Sequence, residues 1–305
     1  MRRWVALAIF IASTTSVAFA DDEKQSSLGQ ILLPLIKAHT GEVAVAVKHL
    51  KTGESFAYRG DEPMPTASLI KLAVMIEAYR QASEKQIDLA APITLRKEDK
   101  VPGSGILNYH FSAGTTFPLR DAIHLMIYTS DNTATNLVLD KIGIASTGET
   151  MEKLGYPNTK IHSKVFRRDT TINRERSKRF GLGSTTANEM IGLCERIYKK
   201  ELVSVSCCEE MLAQLRSCDD KDKFPRFLPT GTPIAFKTGS VDDIRTAAGI
   251  IEGPRGPIAL CVLTEKNQDK RYAPDNEGNL LCAKVAQAVF EHFASLEKPN
   301  TKENK

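Results

Sequence analysis

Apolar residues in positions 24–39 recur at helical spacing around Pro34, so a helix kinked or restarted at that proline is expected. Residues 42–50 then alternate, with VAVAV at their centre, and read as a strand. KTGE turns the chain and SFAYR returns it, completing a hairpin. From about Pro65 the period lengthens. Helices are expected at 68–82, 119–128, 132–142, 147–154, 186–200 and 206–217. Thr186-x-x-Glu189 and Ser206-x-x-Glu209 read as capping boxes. Residues 157–185 are polar and aperiodic, and a loop that long is usually functional or disordered. Strand patterns return at Pro233–Thr238, Thr246–Ile251 and Pro257–Thr264, and 279–297 closes the chain as an amphipathic helix.

Strands thus occur at both ends of the chain with helices between. The fold class this implies is α/β of the α+β type. An antiparallel sheet is made from both chain ends, flanked by the terminal helices on one face and packed against a mostly helical lobe. The expected division is an α/β lobe from 21–64 and 223–298, an all-helical lobe at 65–222, and a disordered tail at 299–305. A cleft between two lobes is a usual place for a small-molecule site.

The first twenty residues stand outside this plan. Met1-Arg2-Arg3 is followed by an apolar run too short to span a bilayer, then by Ala18-Phe19-Ala20 and an acidic start. This is the pattern of a secretory signal peptide, so export to a periplasm or the medium is expected, without stable membrane insertion afterwards. No Cys stands at the cleavage point, which argues against a lipoprotein. Removing Arg2 and Arg3, with no acids, takes the formal charge from +4 to +2. A near-neutral chain does not suggest a nucleic-acid partner. Charge is uneven locally: Lys160 to Phe180 carries eight Lys or Arg against Asp169 and Glu175, either a solvated loop face or a field for an anionic substrate.

The six cysteines match no zinc spacing, and an exported chain can oxidise them. One bridge among Cys194, Cys208 and Cys218 is conceivable from the helices that carry them, while Cys261 in IALCVL reads as a buried small hydrophobe. The six histidines sit in no motif, and neither G-x-S-x-G nor H-E-x-x-H occurs.

Three short motifs remain. Ser68-x-x-Lys71 opens an apolar helical run. Residues i and i+3 share a helix face, and a lysine moved out of water can lose its proton and serve as base to a hydroxyl. The plainer reading is an N-cap serine and a lysine that snorkels to the surface. Ser130-Asp131-Asn132 lies in a turn between two helical runs, where all three residues also suit an N-cap. Lys237-Thr238-Gly239-Ser240 ends an apolar strand, unlike the second K-T-G at Lys51, which falls in the hairpin turn.

Each triplet is common alone. In this order and these contexts the set resembles that of the class A serine β-lactamases and penicillin-binding proteins. The resemblance extends over nearly all of the chain beyond residue 20. VPGSGIL (101–107) is similar to that family's cleft loop, SDNTATNLVLD to its helix start, and GSTTANEM to the end of its omega loop, which here would span about 160–185. It implies Ser68 as nucleophile, Lys71 as an activating group, Ser130 as proton carrier to the leaving nitrogen, and Lys237 as support for that path. Thr238 and Ser240 would donate hydrogen bonds, with the N–H groups of Ser68 and Ser240 as oxyanion hole. Asn132 would hold the substrate's side-chain amide. Arg245 either clamps a substrate carboxylate or is a surface charge on a strand end. A small β-lactam substrate, a monomer, and no metal or organic cofactor are implied.

One position departs from the pattern. The family's E-x-x-L-N is read here as Asp169-Thr170-Thr171-Ile172-Asn173. An aspartate withdraws the carboxylate by roughly 1 Å, and misplacement of that size can cost on the order of a hundredfold in rate. The expected activity is β-lactam hydrolysis slowed at deacylation. The alternatives are a D,D-peptidase and a slowly deacylating penicillin-binding sensor.

Overall fold

The computed structural model describes residues 26–295, so the expected signal peptide and the tail lie outside the described residues. Helix α1 (Ser27–Lys37) begins on Ser26, whose Oγ accepts from Gly29 N at 2.9 Å. It runs through Pro34 without restarting, because that proline lies in the last turn and removes only one ladder bond.

The expected sheet is present, all antiparallel. Strands β1 (Glu42–His49) and β2 (Ser55–Tyr58) come from the start of the chain. The two small sheets add β3 (Met64–Pro65), β4 (Pro92–Thr94), β5 (Thr116–Pro118), β6 (Lys160–Ile161) and β7 (Gly183–Thr185), none of them expected. Strands β8 (Ile234–Val241), β9 (Ile244–Gly253) and β10 (Gly256–Glu265) come from the end of the chain. The main order is β2-β1-β10-β9-β8, which leaves β8 at an edge.

The alternation in β1 sorts its residues by size as well as polarity. Val43, Val45 and Val47 face the terminal helices, packing with Leu28, Leu32 and Ile36 of α1. Helix α10 (Glu277–Ser295) adds Leu281, Val285, Val289 and Phe293 to the same layer. Ala44 and Ala46, with Ala248, Ala259 and Cys261, face the other way into the helical lobe. Small side chains on that face let the lobe come close to the sheet.

Helix α2 (Lys71–Ser83) is the axis of the lobe and is buried at every position from Lys71 to Tyr79. An all-round buried helix needs neighbours on every side. Around it stand α4 (Leu119–Tyr128), α5 (Asn132–Ile142), α6 (Ile144–Lys153) and α9 (Val205–Arg216), with the short α3 (Leu107–His110) near the cleft loop. Helix α8 (Ala187–Tyr198) packs between lobe and sheet.

Four local expectations are corrected. Residues 157–185 are not irregular throughout: they hold β6, a 3-10 turn at Arg168–Thr170, helix α7 (Arg174–Phe180) and β7. Thr186 does cap α8, but the Glu189 carboxylate binds the Asn158 N–H (3.0 Å) and the Thr159 hydroxyl (2.6 Å) instead of completing a box. Ser204, not Ser206, caps α9, accepting from Cys207 N at 3.2 Å. All six cysteines are free thiols, so Cys194, Cys208 and Cys218 form no bridge. Among the described residues no helix is long and apolar enough to cross a membrane, and no cluster of His, Cys, Asp or Glu could hold a metal ion.

Candidate active site

Ser68 sits on a 3-10 turn, Ala67–Ile70, that precedes α2 and does not itself open it. Ala67 is held at φ +46°, a left-handed conformation costly to a residue with a Cβ. Such strain persists only where surroundings enforce it, and it is common at functional sites. Here the surroundings are visible. Thr66 N donates to Gly183 O at 3.0 Å, and Thr246 Oγ1 of β9 donates to Thr66 O at 2.8 Å. Gly239 of β8 lies flat against the turn, where an added Cβ would stand 2.4 Å from Thr66 O and 2.8 Å from Leu69 N. The K-T-G glycine is therefore required by contact with the Ser68 turn, not by its own φ. Ser68 itself is half-buried.

Lys71 is completely buried. Its Nζ donates to Ser130 O (2.7 Å), Ser130 Oγ (3.3 Å) and Asn132 Oδ1 (2.9 Å). Within the structure its hydrogen bonds reach Ser130 and Asn132, and none goes to the Ser68 hydroxyl. Burial, then the charge of Lys237, holds its pKa well below the usual lysine range, with Asp131 opposing.

The Ser130 segment is strapped in place by the loop at 101–107. Asp131 caps α5 through Oδ1, which accepts from Ala134 N at 2.8 Å. Its Oδ2 accepts from Ile106 N (2.7 Å) and Leu107 N (2.8 Å). Asn132 N donates to Ser104 O at 3.0 Å, and Asn132 Nδ2 to Pro102 O at 3.0 Å. Gly105, at φ +108°, allows this approach: a Cβ there would lie 2.3 Å from the Asp131 carboxylate. Ser130 is consequently fixed at φ +56° with its hydroxyl facing two amines.

The second amine is Lys237, also completely buried, whose Nζ donates to Ser130 Oγ at 3.0 Å and to Thr238 O at 2.8 Å. Burial lowers its pKa. Thr238 is buried and Ser240 half-buried beside it. Because β8 is an edge strand, alternate N–H groups of it face away from β9.

Lys71, Ser130, Asn132 and Lys237, expected from three distant segments, thus form one hydrogen-bonded cluster, and β8 carries that cluster to the Ser68 turn. Three other expected residues make no hydrogen bond to this cluster, although Arg245 stands opposite Ser240 across β8 and β9. Arg245 is neither a surface charge nor a free clamp. It is buried, and its Nη1 donates to Asp242 O (2.9 Å) and Ile244 O (2.8 Å). Its Nη2 donates to Arg271 O at 2.8 Å, and its guanidinium stacks 5.1 Å from the Tyr272 ring centroid. Asp169 is exposed and accepts two hydrogen bonds from the Arg167 guanidinium (3.1 and 3.0 Å), which lowers its pKa. Asn173 is exposed and caps α7, accepting from Arg176 N at 3.0 Å. Asp131 was not anticipated as the organiser of the site, although its place between Ser130 and Asn132 was its signal. His162 serves the frame, hydrogen-bonded to Gly181 O at 3.0 Å.

A half-buried serine on a strained turn, beside a hydroxyl shared by two buried lysines, between an antiparallel sheet and a helical lobe, defines the class: a penicillin-recognising serine enzyme of the class A β-lactamase kind. The chain belongs to the β-lactamase enzyme family, whose model matches residues 27–293. A β-lactamase of Proteus vulgaris is 26% identical over 318 aligned positions, covering 99% of this chain and 97% of that one. Among solved structures, the β-lactamase of Sphaerobacter thermophilus is 26% identical with a TM-score of 0.77, covering 89% of this chain and 98% of that one. An ancestral class A β-lactamase matches with a TM-score of 0.76 at 24% identity, covering 88% of this chain and all (100%) of that one.

Proposed function

We propose that this enzyme opens β-lactams through an acyl-enzyme on Ser68, and that release of the acyl group limits turnover. The observation that carries the first half is the convergence of Lys71 and Lys237 on the Ser130 hydroxyl beside the Ser68 turn. Lys71, whose buried amine gives up its proton more readily than an exposed lysine, takes part in removing the Ser68 proton. Ser130 passes a proton to the ring nitrogen as the C–N bond breaks. Lys237, as a cation, donates to Ser130 and attracts the substrate's carboxylate. The N–H groups of Ser68 and Ser240 receive the developing oxyanion. Asn132 Oδ1 accepts from Lys71, and its Nδ2, which donates to Pro102 O, donates to the substrate's amide carbonyl by exchanging that contact. Thr238 and Ser240 line the edge where the substrate lies.

The second half rests on Asp169. Its carboxylate is turned to solvent and paired with Arg167. To activate a water at the acyl group it must leave that partner and swing inward with its loop, and this rearrangement makes release slow. The same observation favours the second reading, a D,D-peptidase or penicillin-binding sensor that stays acylated. Action as a monomer, after export to a periplasm or the medium, completes the proposal.

Stopped-flow mixing with a chromogenic cephalosporin tests it. A burst of about one equivalent, then slower steady turnover, is expected. Steady turnover with no burst at any concentration would contradict limiting deacylation, and a burst with no turnover would favour the sensor.

A further inference from the structure

The loop that carries Asp169 has a tip at 164–167, and that tip is built on helix α5. Asn132, Asn136 and Asp140 follow one another at four-residue spacing, so they share one face of the helix. Asn132 is the residue taken above to hold the substrate's amide. Asn136 grips the loop with two hydrogen bonds: Val165 N donates to its Oδ1 at 2.8 Å, and its Nδ2 donates to Val165 O at 3.0 Å. Asp140 pairs with Lys164. The tip also closes on itself. Arg167 N donates to Lys164 O at 3.3 Å, and Lys164 N donates to Thr170 Oγ1 at 2.9 Å.

Phe166 stands inside this turn at φ +57°, a left-handed conformation that a bulky residue rarely adopts. Its side chain is left 62% exposed and belongs to neither apolar core. The fold gains no burial in return for the strain, and strain of this kind gathers at ligand-binding sites. Gly103 shows what the ring faces. A Cβ on that glycine would stand 2.8 Å from Asn132 Nδ2 and 3.3 Å from Phe166 Cε2. The amide nitrogen of Asn132 and the edge of the ring therefore border the same point of the cleft loop. A substrate carbonyl that takes over Nδ2 brings its next carbon toward that point, and a ring on that carbon reaches Phe166. Ile172, also exposed on this loop, lines a separate cavity with His162 and Arg176.

We infer that Phe166 is a specificity-determining residue for the acylation proposed above: its ring is the wall against which the substrate's acyl side chain packs, and it favours β-lactams whose side chain ends in an aromatic ring. An aromatic pair adds a geometric preference to the burial of apolar area, so an aromatic side chain gains more from this wall than an aliphatic or a missing one. The inference rests on the Ser68 acylation reading and on Asn132 as the holder of the amide.

Two substrates with one ring system separate it from a structural role. Benzylpenicillin carries an aromatic acyl side chain, and aminopenicillanic acid has a free amine in its place. Acylation rate constants for both are measured on the purified full chain by intact-mass time courses. Phe166→Ala is expected to slow benzylpenicillin about tenfold and to leave aminopenicillanic acid within about twofold of wild type, while Phe166→Tyr keeps the wild-type ratio. If Phe166→Ala does not fold, Phe166→Leu, which keeps bulk without an aromatic ring, decides by the same ratio. Equal slowing of both substrates would mean that the ring only props the loop, and unchanged rates for both that the substrate never meets it. Either result overturns the inference and leaves Ser68 acylation standing. A wild-type protein acylated by neither compound overturns both.

Discussion

Lys71 shows how much a single side chain can reveal in a sequence. An ammonium in an apolar helical run either escapes to the surface or is held for use, and here it is fully buried with three polar contacts. Burying a cationic group costs stability unless it is well paired. Its folded pKa lies below its unfolded value, so the folded protein binds fewer protons between the two. The penalty is fully present below the lowered value and gone above the ordinary 10.5, so stability rises with pH through that window. Lys71→Met is therefore expected to stabilise the fold by about 1 kcal/mol at neutral pH, flatten that slope, and abolish acylation. Thermal melts across pH, run beside an acylation assay, check all three; a destabilised variant would mean that the amine's hydrogen bonds outweigh its burial.

The meeting of Lys71, Ser130, Asn132 and Lys237 was legible at this scale because each belongs to a motif whose spacing is short. Arg245 was not. Whether a guanidinium is free depends on carbonyls at 270 and 271, which reach it through the fold and leave no mark near residue 245. Asp169 and Asn173 were legible as a spacing but not as a geometry, since the Arg167 pair and the α7 cap decide where their side chains point.

At the scale of elements, periodicity located α4 and α5 at the expected residues, since each has an amphipathic face and α5 starts on a strong cap. It failed at 157–185, where elements of two, three and seven residues are too short to show a period. The most demanding junction is β8 against the Ser68 turn. Gly239→Ala places a methyl within 2.4 Å of Thr66 O and 2.5 Å of Thr246 Oγ1, both of them parts of rigid elements. The strand must shift, at a cost of about 1–3 kcal/mol. A lower melting temperature and at least tenfold slower acylation are expected. Normal acylation in a folded Gly239→Ala protein would show that the turn and the strand need not touch for Ser68 to react.

At the scale of the whole molecule, the sheet joins both ends of the chain, with β1 inserted between β2 and β10. This was readable from the placing of strand patterns at the two ends alone. The alternating Val and Ala of β1 further distinguish the layer under the terminal helices from the layer under the lobe. Arg179 of α7 grips Glu265 of β10 with two hydrogen bonds of 2.7 Å, tying the loop that carries Asp169 to the sheet. The candidate site is thus a property of the assembled molecule: the Ser68 turn, the Ser130 junction between α4 and α5 and the K-T-G strand meet only when sheet and helical lobe are both in place.

Intact-mass spectrometry of the wild-type protein mixed with a penicillin, followed over time with peptide mapping, tests this convergence most directly. A transient gain of one whole penicillin, mapped to Ser68 and absent in Ser68→Ala, is expected, with Asp169→Glu shortening its lifetime. No adduct under any condition, or an adduct on another residue, would contradict the placement of the reacting hydroxyl beside the two buried amines.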